Sequence, residues 1–366
     1  MTKVKIPNRG DITEGIVAAA IAAKLSARDG SSIGMVTVDD VVQQVMRVES
    51  KGEPVTNVVP DLDGDYQDEI TFSITLPNKA FAALLDRSKI KHLIKEYEGA
   101  VKYVNSAPMH EFATLLAKNE KSNQVLVEAA GTKNQKGTKV DISTIVDGVV
   151  KGSQLSLKVS GGNQFAQKVG KAFNVQEAFW NPLGVDLSSL QTEYDLIVSK
   201  IPDGKPFTSR QEIDEGGYLQ MTASATTLIY RQAHKNLESR MVRDRFGIEF
   251  LKILADYISE NAVGSSAGKI KLVHIESSDF KCASFGTKFV EQMEKAHLYP
   301  VLDLNLSYPV IKIMYKPLDY GEPSVLVQMR AKVERASGNL KVGKRYGVLM
   351  RNYLESGPAL YKIAAI

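Results

Sequence analysis

The sequence predicts an α/β protein built on a mixed sheet flanked by helices, and three observations predict it. Period-two and period-3.6 apolar runs succeed one another through the first half in the order helix, strand, helices, strand, hairpin, helix. Between Thr138 and Gln167, Val140, Ile142, Thr144 and Val146 alternate along one strand, and Leu155, Leu157 and Val159 along a second. A chain of 366 residues, 43% hydrophobic and 24% charged, is long enough for a full core and two structural units. The change in character after Trp180 divides it into an α/β core over 1–180 and a more helical region with a basic β-hairpin over 181–366.

The first helix is GIVAAAIAAKLSAR, whose small Ala-rich face suits close packing on a sheet, with Asp11 and Glu14 spaced as a capping box before it. A second short helix follows over Val36 to Val48, and Lys51 to Asp68 reads as a loop rich in Gly, Pro, Asp and Asn. Its Asp61, Asp63, Asp65 and Asp68 lack the downstream glycine and glutamate of a calcium loop and are expected to be solvated acids. Glu69 to Leu76 is a strand, Lys79 to Tyr103 and Pro108 to Lys118 are helical, and Gln124 to Ala129 is a strand again. A loop carrying Lys133, Lys136 and Lys139 then leads to the hairpin, with turn residues at Asp147-Gly148 and Lys151-Gly152-Ser153.

In the second half, a helical piece near Tyr194 to Ser199 sits among Pro, Gly, Asp and Ser clusters, and Met221 to Ser259 reads as two helices split near Arg240. Lys269 to Ile275 is a strand, Gly286 to His297 a helix, and Leu302 to Met314 a strand pair interrupted by Pro309. Val325 to Arg335 and Tyr346 to Asn352 form the last hairpin. Between Arg330 and Arg351, seven basic residues (Arg330, Lys332, Arg335, Lys341, Lys344, Arg345, Arg351) face one acid, Glu334. Such a ribbon suits a phosphate backbone, where cations gain affinity by releasing counterions; the same charges also protect a strand edge.

Composition excludes several function classes. The net charge of +4 makes no global basic field, so nucleic-acid binding rests on local clusters. A single cysteine, Cys282, allows no internal disulfide and no cysteine zinc site, and fits a reducing cytoplasm. The histidines at 92, 110, 234, 274 and 297 show no ligand spacing. No P-loop, dinucleotide fingerprint or nucleophile elbow is present, so no nucleotide cofactor is expected. Neither a membrane span nor a hydrophobic leader is visible, which leads to the expectation of a soluble, cytoplasmic protein.

The chemistry centres on Asp141 and Lys158. An Asp and a Lys on adjacent strands suit metal-dependent phosphodiester hydrolysis: the carboxylate holds Mg²⁺ or Mn²⁺ while the ammonium orients the attacking water and meets developing negative charge. The pair resembles the PD-(D/E)xK nuclease superfamily, with Asp141 as the first acid and Ser156-Leu157-Lys158 in place of the acidic-x-Lys triplet. SLKVSGGNQFAQ is also similar to segments of phage and restriction-type nucleases, and Arg351-Asn352-Tyr353-Leu354-Glu355-Ser356-Gly357-Pro358 to their endings.

That resemblance implies a restriction-endonuclease-like fold and a Mg²⁺-dependent DNA endonuclease, phage- or restriction-related, acting in the host cytoplasm or carried in a virion. It implies metal ligation by Asp141, with Glu177 or Glu128 replacing the acid missing at Ser156. Glu14 and Gln167 would be auxiliary. Arg330, Lys332, Arg335, Lys344, Arg345 and Arg351 would meet DNA. Double-strand cutting would call for a homodimer; nicking would not. Two alternatives stay open: a catalytically inactive DNA-binding or virion structural protein, for which the missing acid speaks, and a subunit that serves only in assembly.

Overall fold

The structure is a computed structural model that describes residues 6–365 apart from 30–31, 61–64, 120, 130–138, 151–153, 160–162, 202–210, 212–214, 244–248, 265–269, 305–307, 320 and 336–347. The chain forms two compact units. The first comprises Met1–Gly162, Ala262–Gly286 and Ala365–Ile366; the second comprises Asn163–Asn261 and Thr287–Ala364. The division thus falls at Gly162, not near residue 180, because the strand Gln164–Val169 pairs into the second unit's sheet.

Along the first unit run α1 (Arg9–Ser26), the short strands β1 (Arg28–Asp29) and β2 (Ser32–Ile33), α2 (Val38–Met46), β3 (Val55–Pro60) and β4 (Gln67–Ile74). They are followed by α3 (Asn78–Leu84), α4 (Ile90–Val104), α5 (Ala107–Ala117), β5 (Gln124–Ala129), β6 (Ile142–Val146), β7 (Val149–Val150) and β8 (Gln154–Val159). The chain enters the second unit through β9 (Gln164–Val169), α6 (Phe173–Trp180), α7 (Gln191–Val198), α8 (Tyr218–Arg243) and most of α9 (Glu249–Val263). It returns for β10 (Ile270–Glu276) and β11 (Asp279–Ser284), then finishes the second unit with α10 (Thr287–Glu294) and β12 to β15 (Ala296–Asp303, Val310–Pro317, Ser324–Arg335, Val348–Ser356).

The first sheet has the order β11-β10-β8-β6-β5-β4-β3, with β7 paired to β6. β8 and β10 run parallel, as do β4 and β5, while the other pairs are antiparallel, so the predicted mixed α/β sheet is present. The hairpin between β6 and β7 turns where both Asp147 (φ 50) and Gly148 (φ 72) adopt left-handed conformations, the geometry that suits the twist of paired strands. Against this sheet lies α1, buried from Ile12 to Leu25 on almost every side; it is mostly apolar, and its buried Lys24 donates to the Gly34 carbonyl at 2.8 Å and to Asn105 Oδ1 at 3.2 Å. Gly15 lets it approach: a Cβ there would stand 2.7 Å from Leu84 Cδ2 and 3.2 Å from Leu76 Cδ1.

Three local readings change. α1 begins at Arg9 after a left-handed Asn8 with no side-chain cap, so Asp11 lies in its first turn and Glu14 in its second, and they form no capping box. The capping box of this unit is on α2, where Thr37 and Asp40 bond reciprocally. The expected loop from Lys51 to Asp68 contains β3, paired antiparallel with β4; Asp68 is no solvated acid but buried, accepting from Arg28 Nη2 at 2.6 Å and from Asn123 N at 2.8 Å. Asp61 and Asp63 lie outside the described residues. The helical stretch from Lys79 to Tyr103 is broken at Asp86, which caps the 3₁₀ turn Arg87–Lys89.

The second unit has its own five-stranded sheet, in the order β12-β13-β14-β15-β9. Its interior contains Phe179, Trp180, Tyr230 and Tyr257 in edge-to-face contacts. The strand pair expected around Pro309 is present as β12 and β13, which pair antiparallel, but β12 begins earlier and takes in His297, which the sequence pattern places in a helix.

Candidate functional site

The first unit brings Glu14, Asp11, Asp141 and Lys158 within electrostatic reach of one another. Their placement begins with α1. Arg9 ties the helix start to α4 through a bidentate pair with Glu96, Nε to Oε1 at 2.5 Å and Nη2 to Oε2 at 3.0 Å, and Nη2 also donates to the His92 carbonyl at 3.0 Å. Asp11 and Glu14, three residues apart, share the helix face that this anchor orients.

Asp141 lies just before β6 and is clipped to β8 at two points. Its backbone N–H donates to the Leu155 carbonyl at 2.7 Å, and its Oδ2 accepts from the Leu157 N–H at 2.6 Å. Ile142 pairs with Leu155 in register. The carboxylate is therefore bonded to the residue preceding Lys158, and the strand adjacency read from the sequence is real.

The charges do not cancel. Burial pushes the Asp141 carboxyl above its ordinary range, the Leu157 N–H and the Lys158 charge hold it down, Asp11 raises it again and Lys139 lowers it. Glu14 is pushed up to about 8, by burial first, then by Asp141 and Asp11, with Lys158 opposing. Burial also raises Asp11, against a hydrogen bond from Asn8. Glu14 Oε2 is closed off from solvent and has no hydrogen-bond partner among the described residues. Among the described residues, no three His, Cys, Asp or Glu side chains are grouped closely enough to hold a metal ion by themselves.

The remaining expected site residues are placed differently. Glu128, on β5, faces Ser143 of β6 and is not among the charges that shift Asp141 or Glu14. Ser156 is fully buried and its Oγ donates to the Ala262 carbonyl at 3.3 Å. Glu177, on α6, and Gln167, on β9, belong to the second unit; Gln167 is exposed, and its Oε1 accepts from Gln164 Nε2 at 3.3 Å. Lys133 and Lys136 lie outside the described residues.

One neighbour of the site was not foreseen. His274 on β10 stands opposite Lys158 in the parallel register and opposite Lys281 on the other side. It is buried, with Nε2 3.2 Å from the Val159 carbonyl. Burial lowers its pKa; Glu276 and that carbonyl oppose the shift, and Lys281 and Lys158 add to it. No spacing rule finds this residue, because 116 positions separate it from Lys158 and only strand pairing joins them.

In the second unit the basic hairpin is β14 with β15. Arg330 donates from Nη2 to Glu355 Oε1 at 2.6 Å and lies over the Tyr353 ring, 5.1 Å from its centroid. Gln328 Nε2 also donates to Glu355, at 2.6 Å. Lys332 and Arg351 face each other in register, while Lys344 and Arg345 and the side chain of Arg335 lie outside the described residues. The Arg351 to Pro358 segment has a structural account: buried Asn352 donates to Gln176 Oε1 at 2.7 Å and accepts from the Tyr230 hydroxyl at 3.2 Å. A Cβ at Gly357 would clash with the Val325 carbonyl oxygen, so only glycine fits.

No helix among the described residues is long and apolar enough to cross a membrane. The chain matches no protein-family model, no curated protein and no solved structure.

Proposed function

We propose that the chain is a metal-dependent nuclease that hydrolyses DNA phosphodiester bonds, with Asp141, Glu14 and Lys158 as its working residues. The observation that carries this reading is the carboxylate cluster at Glu14: burial, Asp141 and Asp11 all raise its proton affinity against Lys158, and its Oε2 is buried without a hydrogen-bond partner among the described residues. An unpartnered buried carboxyl costs stability, and a carboxyl strongly perturbed by burial and a charged neighbour is a candidate functional group.

The donor set fits Mg²⁺ or Mn²⁺. Mg²⁺ is usually held by one or two carboxylates, with waters and substrate phosphate completing the shell, so a third protein ligand is not required. Asp141 and Glu14 are the residues that would hold it, in place of the acid absent at Ser156. When bound, such an ion neutralises phosphate charge and lowers the pKa of a coordinated water.

The chain's own residues supply the rest. The Leu157 N–H fixes one Asp141 oxygen and leaves the other, Oδ1, to act as a ligand. Lys158 presents a cation beside both carboxylates, placed to orient an attacking water and to meet charge developing on the phosphate. Within this reading Lys332 and Arg351, which face each other across the hairpin, would bind the DNA backbone.

Ser156 favours a second reading, a DNA-binding protein without catalysis, since its hydroxyl is bonded to the Ala262 carbonyl and supplies no carboxylate. Purified protein is incubated with supercoiled and linear DNA and Mg²⁺ or Mn²⁺, beside Asp141→Ala and Lys158→Ala variants shown to be folded by circular dichroism. Cleavage that needs the metal and disappears in both variants is the expected result. Binding without cleavage would establish the second reading, and neither binding nor cleavage at low salt would point to an assembly subunit.

A further inference from the structure

The turn Ala262–Val263–Gly264, which ends α9, touches the site from two sides. On one side the Ala262 carbonyl accepts from Ser156 Oγ, two residues before Lys158 on β8. On the other, Gly264 lies against the backbone of Lys139, two residues before Asp141: a Cβ on Gly264 would stand 3.1 Å from Lys139 N and 3.6 Å from Lys139 Cγ. Gly264 has φ +73, a left-handed conformation open to glycine and strained for other residues. The turn belongs to the same unit as both strands it touches.

We propose that this helix-ending turn is a positioning element for the carboxylate–lysine site, holding the segment that carries Asp141 against the strand that carries Lys158. The inference rests on the reading of Asp141 and Lys158 as a working pair. The last carbonyls of a helix lack intrahelical donors and carry partial negative charge. A serine at position 156 satisfies one of them with its O–H. A carboxylate there would meet that negative end without a proton to donate, which accounts for the residue at the one point where the sequence leaves its resemblance. Position 156 is thus the seat of the helix end, and the second acid of the site comes from α1. Asp141 is the element most exposed to slippage, since Ile142 and Leu155 are the only residues of β6 and β8 paired in ladder register among those described.

The test reads the Asp141 clip directly. Amide hydrogen exchange at Asp141 and Leu157, whose N–H groups make the two clip bonds, is followed by NMR in wild type, Gly264→Ala, Ser156→Ala and Ser156→Thr. Exchange at both amides is expected to accelerate by about tenfold or more in Gly264→Ala and Ser156→Ala, the size of loosening one charge-assisted hydrogen bond. Threonine keeps the hydroxyl and restores protection, and amides of the β4–β5 ladder stay unchanged in every variant. In DNA cleavage the same two variants lower kcat with little change in KM. Wild-type protection at Asp141 and Leu157 in both variants would overturn the proposal, as would acceleration spread equally over β4 and β5. Failure of wild type to cleave would overturn the nuclease reading alone, because the exchange pattern does not depend on it.

Discussion

The carboxylate site of the first unit and the basic hairpin of the second both concentrate charge, and they treat it in opposite ways. On the hairpin, Arg330 is matched by Glu355, braced by Gln328 and laid on Tyr353. In the first unit, Asp141 and Asp11 both push Glu14 upward, and Lys158 opposes them without a salt bridge among the described residues. Matched charge holds a fold together; unmatched, half-buried charge costs stability and persists where a ligand will compensate it. Local charge density alone, as read from sequence, does not distinguish the two.

The contrast is broken most severely at Asp141. Asp141→Ala removes the proposed ligand, and metal-dependent cleavage is expected to fall by roughly 10²–10³-fold or more, the size seen when one electrostatic stabiliser of a transition state is lost. Steady-state assays on folded protein check it; a smaller fall would move the site elsewhere. Lys158→Met should cost a similar factor while leaving the unfolding temperature nearly unchanged, because Lys158 makes no salt bridge among the described residues.

Arg330→Ala should do the reverse. It strands the mostly buried Glu355 and is expected to cost about 1–2 kcal/mol of stability, discounted for the partly exposed guanidinium. Denaturant melts measure this, and the affinity for DNA should change less than it does in Lys332→Ala. That second variant is expected to lower the salt slope of DNA binding by about one, as for the loss of a single phosphate contact.

The pH dependence sharpens the comparison further. Glu14 is raised from 4.5 to about 8, so the folded chain holds a proton that the unfolded chain releases between those values. Stability from this group is fully present below 4.5 and is lost as pH rises through about 8. Metal affinity should move the opposite way, rising as pH rises through about 8, since cation and proton compete for the carboxylates. Glu14→Gln is expected to flatten both curves, by thermal melts and by calorimetric titration with Mn²⁺. Unchanged slopes in that variant would show that Glu14 is not the titrating group.

Much of this arrangement was legible residue by residue. Alternation along Val140 to Val146 and Leu155 to Val159 located β6 and β8, and with them the approach of Asp141 to Lys158. Glu14 was read among the auxiliary residues, yet the Asp11–Glu14 spacing suggested a cap, because three-residue spacing is shared by capping boxes and by any two residues on one helix face. Glu177 and Gln167 entered through resemblance to a neighbouring segment, whereas the contacts assign both to the second unit. β3 escaped notice because Pro54, Asn57 and Pro60 look like loop residues, and an edge strand tolerates them.

By itself the sequence determined the local elements: an α1 mostly apolar and buried along most of its length, strands of period two, and the Asp147-Gly148 turn. These depend on neighbours a few positions apart, which a linear pattern records. Tertiary structure alone decided that β10 returns beside β8, that His274 stands opposite Lys158, and that Ser156 seats the end of α9. It also decided that Asp141 and Lys158, far from α1 in the chain, act with Asp11 on Glu14. Strand neighbours and desolvation are set by contacts between segments far apart in the chain, and no periodicity in the sequence encodes which segment fills the place beside another.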